Sequence, residues 1–243
     1  MDHIEIAQHR VAELSQKGGT ILLFYSGGKD SYACLELFRP HKSAVKVVFV
    51  DTGCHFPEVY EHIEAVKKDF DVLVLHSNAR EFVKNNGWPV DIVPTRMTRM
   101  GYFIYGEDGR GYSNRFDCCK ENLWSPMTAC VYALKPQFVV RGDRGAERRR
   151  GPSEENGIRY EFPIFDWTDE QVVDFVQDKP LFHERMLLKG GSSLDCMVCR
   201  AYMDERGKGF EDYLERHYPD MAKAQREFFT KYRADILREL GDK

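Results

Sequence analysis

Thr20-Ile21-Leu22-Leu23-Phe24-Tyr25-Ser26-Gly27-Gly28-Lys29-Asp30-Ser31 joins a short apolar run to two glycines and a polar segment that opens a helix. An apolar run this short, without alternation, is the pattern of a strand buried on both faces of a parallel sheet. The glycines allow a tight turn and let a ligand approach the backbone. The helix predicted from Lys29 to about Phe38 starts with N–H groups that lack intrahelical partners. Such a junction receives phosphate oxygens. Ser26 and Ser31 add hydroxyl donors and Lys29 a cation. An isolated Gly-Gly pair is more often a plain turn, but six consecutive fitting residues after a strand favour the binding site. The spacing is not that of the G-x-x-x-x-G-K-[ST] loop, so γ-phosphate transfer of the kinase or GTPase kind is not expected.

Outward from this stretch, strands and helices alternate. Val45 to Val50 is a second strand ending at Asp51-Thr52-Gly53, and after Pro57 the residues Val59, Ile63, Val66 and Phe70 recur at helical spacing. Asp71–Leu75 and Gln137–Arg141 read as third and fourth strands, the last preceded by a helix from about Cys119 to Ala133. The expected class is α/β, a parallel sheet with right-handed crossovers and helices on both faces. Residues 85–116 are rich in Gly and Pro and read as a long irregular excursion over the sheet's carboxyl edge. After Pro219, residues Ala224, Phe228, Tyr232, Ile236 and Leu240 fall four apart, one apolar stripe among charges. The expected organisation is a nucleotide-binding domain over 1–200 that includes the cysteines, with a helical C-terminal extension over 201–243.

The 243 residues are 42% hydrophobic and 30% charged, and no apolar run reaches the roughly 18 residues of a membrane span. The acids in Met1-Asp2-His3-Ile4-Glu5 do not fit a secretory signal, and a cytoplasmic protein with no membrane association is expected. A net charge of -4 provides no overall positive field, so any nucleic-acid contact must be local or through a partner. Five arginines lie within Arg141 to Arg150, directly after a strand, dense enough to neutralise a triphosphate or grip a nucleic-acid backbone. Asp51 ends a strand where open parallel sheets bind ligands, and its carboxylate suits Mg²⁺ or ribose hydroxyls as well as a simple Asp-Thr-Gly turn.

Seven cysteines in such a chain favour thiolate chemistry or metal binding over disulfides. Cys118-Cys119 and Cys196-x-x-Cys199 supply four thiolates, enough for tetrahedral zinc or a [4Fe-4S] cluster. Adjacent cysteines point in different directions and serve a cluster, with its separate irons, better than a single ion. Cys34 and Cys130 read as small core hydrophobes. Cys54, after the Asp-Thr-Gly, is a candidate to face the pocket.

Ser26-Gly27-Gly28-Lys29-Asp30-Ser31 resembles the PP-loop of the adenine nucleotide α-hydrolases, which cleave ATP between the α and β phosphates. Asp51-Thr52-Gly53-Cys54-His55-Phe56-Pro57-Glu58 and Pro163-Ile164-Phe165-Asp166-Trp167-Thr168 are similar to segments of the phosphoadenosine-phosphosulfate (PAPS) reductase branch of that superfamily. Arg141-Gly142-Asp143-Arg144-Gly145-Ala146-Glu147-Arg148-Arg149 stands where that family places its glycine-arginine loop. The likeness covers roughly 18 to 200, with four motifs in the family's order. It implies a Rossmann-like fold and nucleotide binding by Ser26, Gly27, Gly28, Lys29, Asp30, Ser31, Asp51, Thr52, Gly53, Arg141, Gly142 and Arg148, with Lys29, Asp30, Asp51 and Arg144 as catalytic residues. Implied cofactors are ATP or a sulfonucleotide, Mg²⁺, and a [4Fe-4S] cluster on Cys118, Cys119, Cys196 and Cys199, as in iron-sulfur adenylylsulfate reductases. Zinc is the alternative.

Two departures bear on function. The reductases carry a nucleophilic cysteine on a C-terminal segment, whereas residues 200–243 contain no cysteine. Their phosphate loop is commonly degenerate, whereas SGGKDS is complete. The leading expectation is an ATP pyrophosphatase that adenylates a substrate for sulfur incorporation, analogous to the cluster-bearing enzymes of DNA phosphorothioation. A cysteine desulfurase or other sulfur donor would be the partner, nucleic acid a candidate acceptor through residues 141–150 or a partner protein, and a homo-oligomer is admitted. The alternatives are a PAPS or adenylylsulfate reductase and a non-catalytic nucleotide- and metal-binding subunit.

Overall fold

The computed structural model of the chain describes residues 1–106, 111–146, 151–188, 196–201 and 208–241. In chain order its elements begin with α1 (His3–Gln16), β1 (Ile21–Phe24), α2 (Lys29–Phe38), β2 (Val45–Asp51), α3 (Pro57–Val66) and β3 (Asp71–His76). They continue with α4 (Ala79–Asn86), β4 (Trp88–Val90), α5 (Arg99–Tyr105), β5 (Tyr112–Asn114), α6 (Arg115–Cys119), α7 (Ser125–Leu134) and β6 (Phe138–Val140). The last are β7 (Ser153–Glu155), β8 (Ile158–Glu161), α8 (Asp169–Val176), α9 (Lys208–His217) and α10 (Pro219–Leu240). They form two compact units, the first made of residues 1–51, 56–76 and 126–187 and the second of 52–55, 77–125 and 188–243. The boundary drawn in the sequence at residue 200 falls inside the second unit. No helix among the described residues is long and apolar enough to cross a membrane.

The first unit holds a six-stranded sheet in the order β3-β2-β1-β6-β8-β7. All pairings are parallel except β7 with β8, so an antiparallel edge closes a mostly parallel sheet flanked by helices. The four residues of β1 are all buried, as a run without polar alternation requires. Leu22 and Phe24 pack with Val48 and Val139 against Cys130 and Val131 of α7, so Cys130 is core, as its helical position predicts. The chain leaves β1 toward β2 and β3 on one side and later lays β6 on the other. The strand order therefore reverses beside β1, and in open α/β sheets ligands bind outside the carboxyl ends of strands at such a point. Ser26 and Arg141 follow the two strands that flank it.

The second unit contains most of the segment read as an irregular excursion. It is more ordered than its Gly and Pro content indicates: β4 and β5 pair in parallel, with Trp88 opposite Tyr112, and a 3-10 turn (Thr95–Met97) and α5 lie between them. Strands of three residues are too short to show a periodicity. Gly87 is required here, because a Cβ on it would meet the Gly111 carbonyl at 2.0 Å. Phe228, Tyr232 and Ile236 of α10 pack on Val90, Met97 and Tyr112, while Ala224 and Leu240, expected on the same stripe, are exposed. Steps of four residues drift about 40° each around a helix of 3.6 residues per turn, so the ends of a five-member row leave the buried face. The helix expected from about Cys119 begins earlier, at Arg115. There Asn114 accepts a hydrogen bond from the Phe116 N–H at 2.8 Å, and a π turn (Lys120–Trp124) separates α6 from α7.

Candidate functional site

After β1 the chain reverses through Gly27, whose φ of +80° is open to glycine at no steric cost. Gly28 then takes the N-cap position of α2 and offers no side-chain oxygen to the helix's first amides. The two serines brace the turn. The Ser31 hydroxyl donates to the Gly28 carbonyl at 3.0 Å and accepts from the Ser26 N–H at 3.3 Å, and the Ser26 oxygen accepts from the Gly28 N–H at 3.3 Å. The loop after β6 presses on the same place: a Cβ added to Gly142 would lie 2.7 Å from the Asp30 carbonyl carbon and 2.8 Å from the Ser31 nitrogen. Those are backbone atoms and cannot step aside. Gly142→Ala is therefore expected to cost about 1–3 kcal/mol of stability in urea unfolding. It should also disturb the glycine turn, because the first turn of α2 must shift.

Two cations meet at this turn, both nearly buried: Lys29 is 5% exposed and Arg144 6%. Lys29 Nζ stands 2.8 Å from Asp30 Oδ2 and 2.9 Å from Asp169 Oδ1. Arg144 reaches the same two carboxylates, Nε to Asp30 Oδ1 at 2.7 Å and a terminal nitrogen to Asp169 Oδ1 at 2.9 Å. Burial of two positive charges is tolerated because each is paired and hydrogen-bonded. Lys29, Asp30 and Arg144 are thus brought together, and Asp169, which the sequence did not single out, joins them. Its sequence signal was the capping box that opens α8, Thr168 with Gln171, which fixes the helix start without saying what lies opposite.

Other members of the predicted set are placed more loosely. Asp51 ends β2, where its Oδ1 accepts from the Tyr60 hydroxyl at 2.9 Å and its Oδ2 lies 3.5 Å from His76 Nδ1. Arg141 pairs with Asp143 at 3.1 Å. Arg148 lies outside the described residues. Thr52 and Gly53 follow Asp51 in the chain but belong to the second unit, where Thr52 is fully buried.

Beneath the turn lies a group that sequence reasoning missed. Tyr25, the residue before Ser26, is hydrogen-bonded through its hydroxyl to His62 Nε2 of α3, and the Tyr32 ring stands edge-on to His62 with centroids 5.2 Å apart. A terminal nitrogen of buried Arg185 donates to the Gly27 carbonyl at 3.3 Å. Burial, followed by the charges of Arg185 and His183, lowers the His62 pKa to about 4. Burial likewise pushes the Tyr32 phenol up to about 12.

All four proposed sulfur ligands lie in the second unit. The CxxC is a turn, with the Cys199 N–H donating to the Cys196 carbonyl at 3.0 Å. It is tied to residues 54–55 by an antiparallel bridge between His55 and Cys196 and by a 2.7 Å bond from the Met197 N–H to the Cys54 carbonyl. Cys196 Sγ is 3.3 Å from the Thr52 hydroxyl. Arg200 donates to the Met197 and Cys199 carbonyls at 3.0 and 3.1 Å while its guanidinium sits 4.8 Å over the Trp88 ring. Cys118 is buried, with the Asn122 amide 3.8 Å from its sulfur. Its thiol is pushed up to about 12 by burial, then by the charges of Cys119 and Cys199. Among the described residues no group of three or more His, Cys, Asp and Glu is gathered tightly enough to hold a metal ion. The four thiols stand on two stretches of one unit, a donor set whose chemistry suits a thiolate-bound ion or cluster. Cys54, the candidate to face a pocket, is 1% exposed.

Residues 20–202 match the phosphoadenosine phosphosulfate reductase domain. Phosphoadenosine 5'-phosphosulfate reductase of Buchnera aphidicola subsp. Acyrthosiphon pisum is 25% identical over 242 residues, covering 96% of this chain and 86% of the relative. Adenosine 5'-phosphosulfate reductase of Mycobacterium tuberculosis is 22% identical over 177 residues, 69% of this chain and 61% of the relative. An uncharacterised protein of Methanocaldococcus jannaschii is 23% identical over 89% of this chain, which spans about half (47%) of that relative's length. The phosphoadenylyl-sulfate reductase of Candida auris, solved as a phosphate complex, shares the fold with a TM-score of 0.53 at 16% identity, over 77% of this chain and 84% of that one. The family match takes in most of the chain, from the strand before the glycine turn to the residues just past the CxxC, and the chain belongs to the phosphoadenosine phosphosulfate reductase domain family.

Proposed function

We propose that this chain is an ATP pyrophosphatase that activates a substrate oxygen for replacement by sulfur. The observation that carries it is the pair of nearly buried cations, Lys29 and Arg144, converging at a glycine turn that ends in an uncapped helix. Such a place stabilises the charge that develops on a departing pyrophosphate, since preorganised cations in a water-poor site need no reorganisation as the bond breaks. The substrate oxygen would attack the α phosphorus, the bond between the α phosphorus and the bridging oxygen would break, and pyrophosphate would leave held by the turn, Lys29 and Arg144. A sulfur nucleophile would then displace AMP. Asp51 would hold Mg²⁺ or the ribose hydroxyls, with Tyr60 and His76 orienting its oxygens.

Cys118, Cys119, Cys196 and Cys199 would hold a [4Fe-4S] cluster, which when bound links the two cysteine stretches and supplies iron sites able to carry sulfur. Cys118 must lose its proton to ligate, so loading should release acid. The sulfur donor in this reading is a cysteine desulfurase and the acceptor a nucleic acid, supported by the arginines that follow β6.

A second reading, reduction of a sulfonucleotide to sulfite, is favoured by the names of the relatives. It needs an attacking thiol; Cys34, Cys54, Cys118 and Cys130 are buried, and the three partly exposed thiols, Cys119, Cys196 and Cys199, are the ones the first reading gives to the cluster. Anaerobic protein given ATP and Mg²⁺ should yield AMP and pyrophosphate, with the acceptor class raising the rate. Sulfite from PAPS or adenylylsulfate with a thiol reductant, and no AMP from ATP, would establish the reductase. Nucleotide binding with neither product would leave a non-catalytic subunit.

A further inference from the structure

A single carboxylate oxygen, Asp169 Oδ1, lies 2.9 Å from both Lys29 Nζ and a terminal nitrogen of Arg144. This is the set of contacts that a phosphate oxygen makes in a two-cation site. We propose that Asp169 is a resident anion that occupies the phosphate position, keeps the two cations compensated while no nucleotide is bound, and is displaced when phosphate enters. The proposal rests on the reading that this turn binds the nucleotide's phosphates, and it adds the residue that sets their affinity.

The two carboxylates of the network are not equivalent. Asp30 has a side chain 14% exposed and contacts both cations through separate oxygens, so it is the permanent counter-ion. The Asp169 side chain is 47% exposed. It can rotate outward and be solvated, whereas Lys29 and Arg144, less than a tenth exposed, cannot follow it. The backbone need not move. Thr168 Oγ1 accepts from the Gln171 N–H at 3.2 Å and Gln171 Oε1 accepts from the Thr168 N–H at 2.8 Å, so the first turn of α8 stays pinned while χ angles of Asp169 change. Once Asp169 turns away, Lys29 and Arg144 have one negative charge fewer beside them, and the incoming phosphate restores it. The exchange of one anion for another weakens binding relative to an open site and eases release of pyrophosphate.

Asp169→Asn tests this, because the amide keeps the shape but not the charge. Inorganic pyrophosphate is titrated by calorimetry into wild type and variant at one fixed ionic strength, and the thermal midpoint of each ligand-free protein is recorded. The variant should bind about tenfold more tightly, a difference of about 1.4 kcal/mol, while its ligand-free midpoint falls by several degrees because two buried cations lose a partner. A merely structural role moves affinity and stability in the same direction. Asp169→Ser, which also removes the charge, is measured as the second variant in case the amide folds poorly. Wild type that binds pyrophosphate with both variants equal or weaker overturns the proposal and leaves the phosphate site standing. Failure of wild type and variants alike to bind pyrophosphate removes the phosphate reading and the proposal with it.

Discussion

On the proposed pyrophosphatase reading, Lys29→Met should reduce ATP cleavage by about 10²–10³-fold, the loss seen when one preorganised charge-stabilising donor is taken from a transition state. The sign follows from the network. With Lys29 gone, Asp30 and Asp169 keep Arg144 but lose one positive charge, and the phosphate position becomes more negative by one unit. Both pyrophosphate affinity and kcat should therefore fall, unlike the Asp169 variant, whose affinity rises. Lys29 is almost buried, so its removal also leaves a partly desolvated carboxylate short of a partner, at a stability cost of about 1–3 kcal/mol once the exposure of Asp169 is allowed for. Urea unfolding beside the kinetics separates the two effects: a folded variant at full activity would show that the phosphates bind elsewhere. Arg144→Lys should fall between, since an ammonium cannot span two carboxylates with a planar fork.

The turn itself was legible because its chemistry is local. A buried strand, two glycines and a helix start are adjacent in the chain, and Gly28 and Ser31 do what their types and order require. The same holds for β1, β2, β3 and β6, whose apolar runs mark strands covered on both faces. What stayed hidden depends on distance along the chain. Asp169 reaches Arg144 from 25 residues away, and Tyr25 reaches His62 from 37. No pattern within either segment encodes its partner. The cysteines lie between these cases. Their number and pairing led to the expectation of a four-thiol donor set, but the tie of Cys196 to Thr52 and His55 is a product of the fold. Helix α4, eight mostly polar residues, and the three-residue strands β4 and β5 carry too little periodicity to be read.

Acidification should destabilise the protein through His62. In the unfolded chain this imidazole titrates near its ordinary value of about 6.5, and in the folded one at about 4, because burial, Arg185 and His183 disfavour the cation more than the Leu181 backbone and Glu36 favour it. Tyr25 and Tyr32 are the other titratable groups against the ring, and neither supplies a negative charge at acidic pH. A group whose folded pKa lies below its unfolded value takes up its proton in the unfolded chain first. Stability is thus complete above about pH 6.5 and is lost as the pH falls toward 4, by about 2–3 kcal/mol at pH 4.5. Against a total of about 5–15 kcal/mol for a typical domain this is a large share. Carboxylates contribute acid sensitivity of their own, so the measurement is a difference: unfolding free energies of wild type and His62→Gln at pH 7.5, 6, 5 and 4.5. Glutamine has no proton to gain, so the two curves should converge as pH falls, wild type losing about 2–3 kcal/mol more than the variant. Parallel curves would mean that His62 titrates normally. Because Tyr25 leads directly into Ser26 and Arg185 holds the Gly27 carbonyl, charging His62 should loosen the phosphate turn before the sheet unfolds. Pyrophosphate affinity should then drop in wild type across the same pH window while that of His62→Gln changes less.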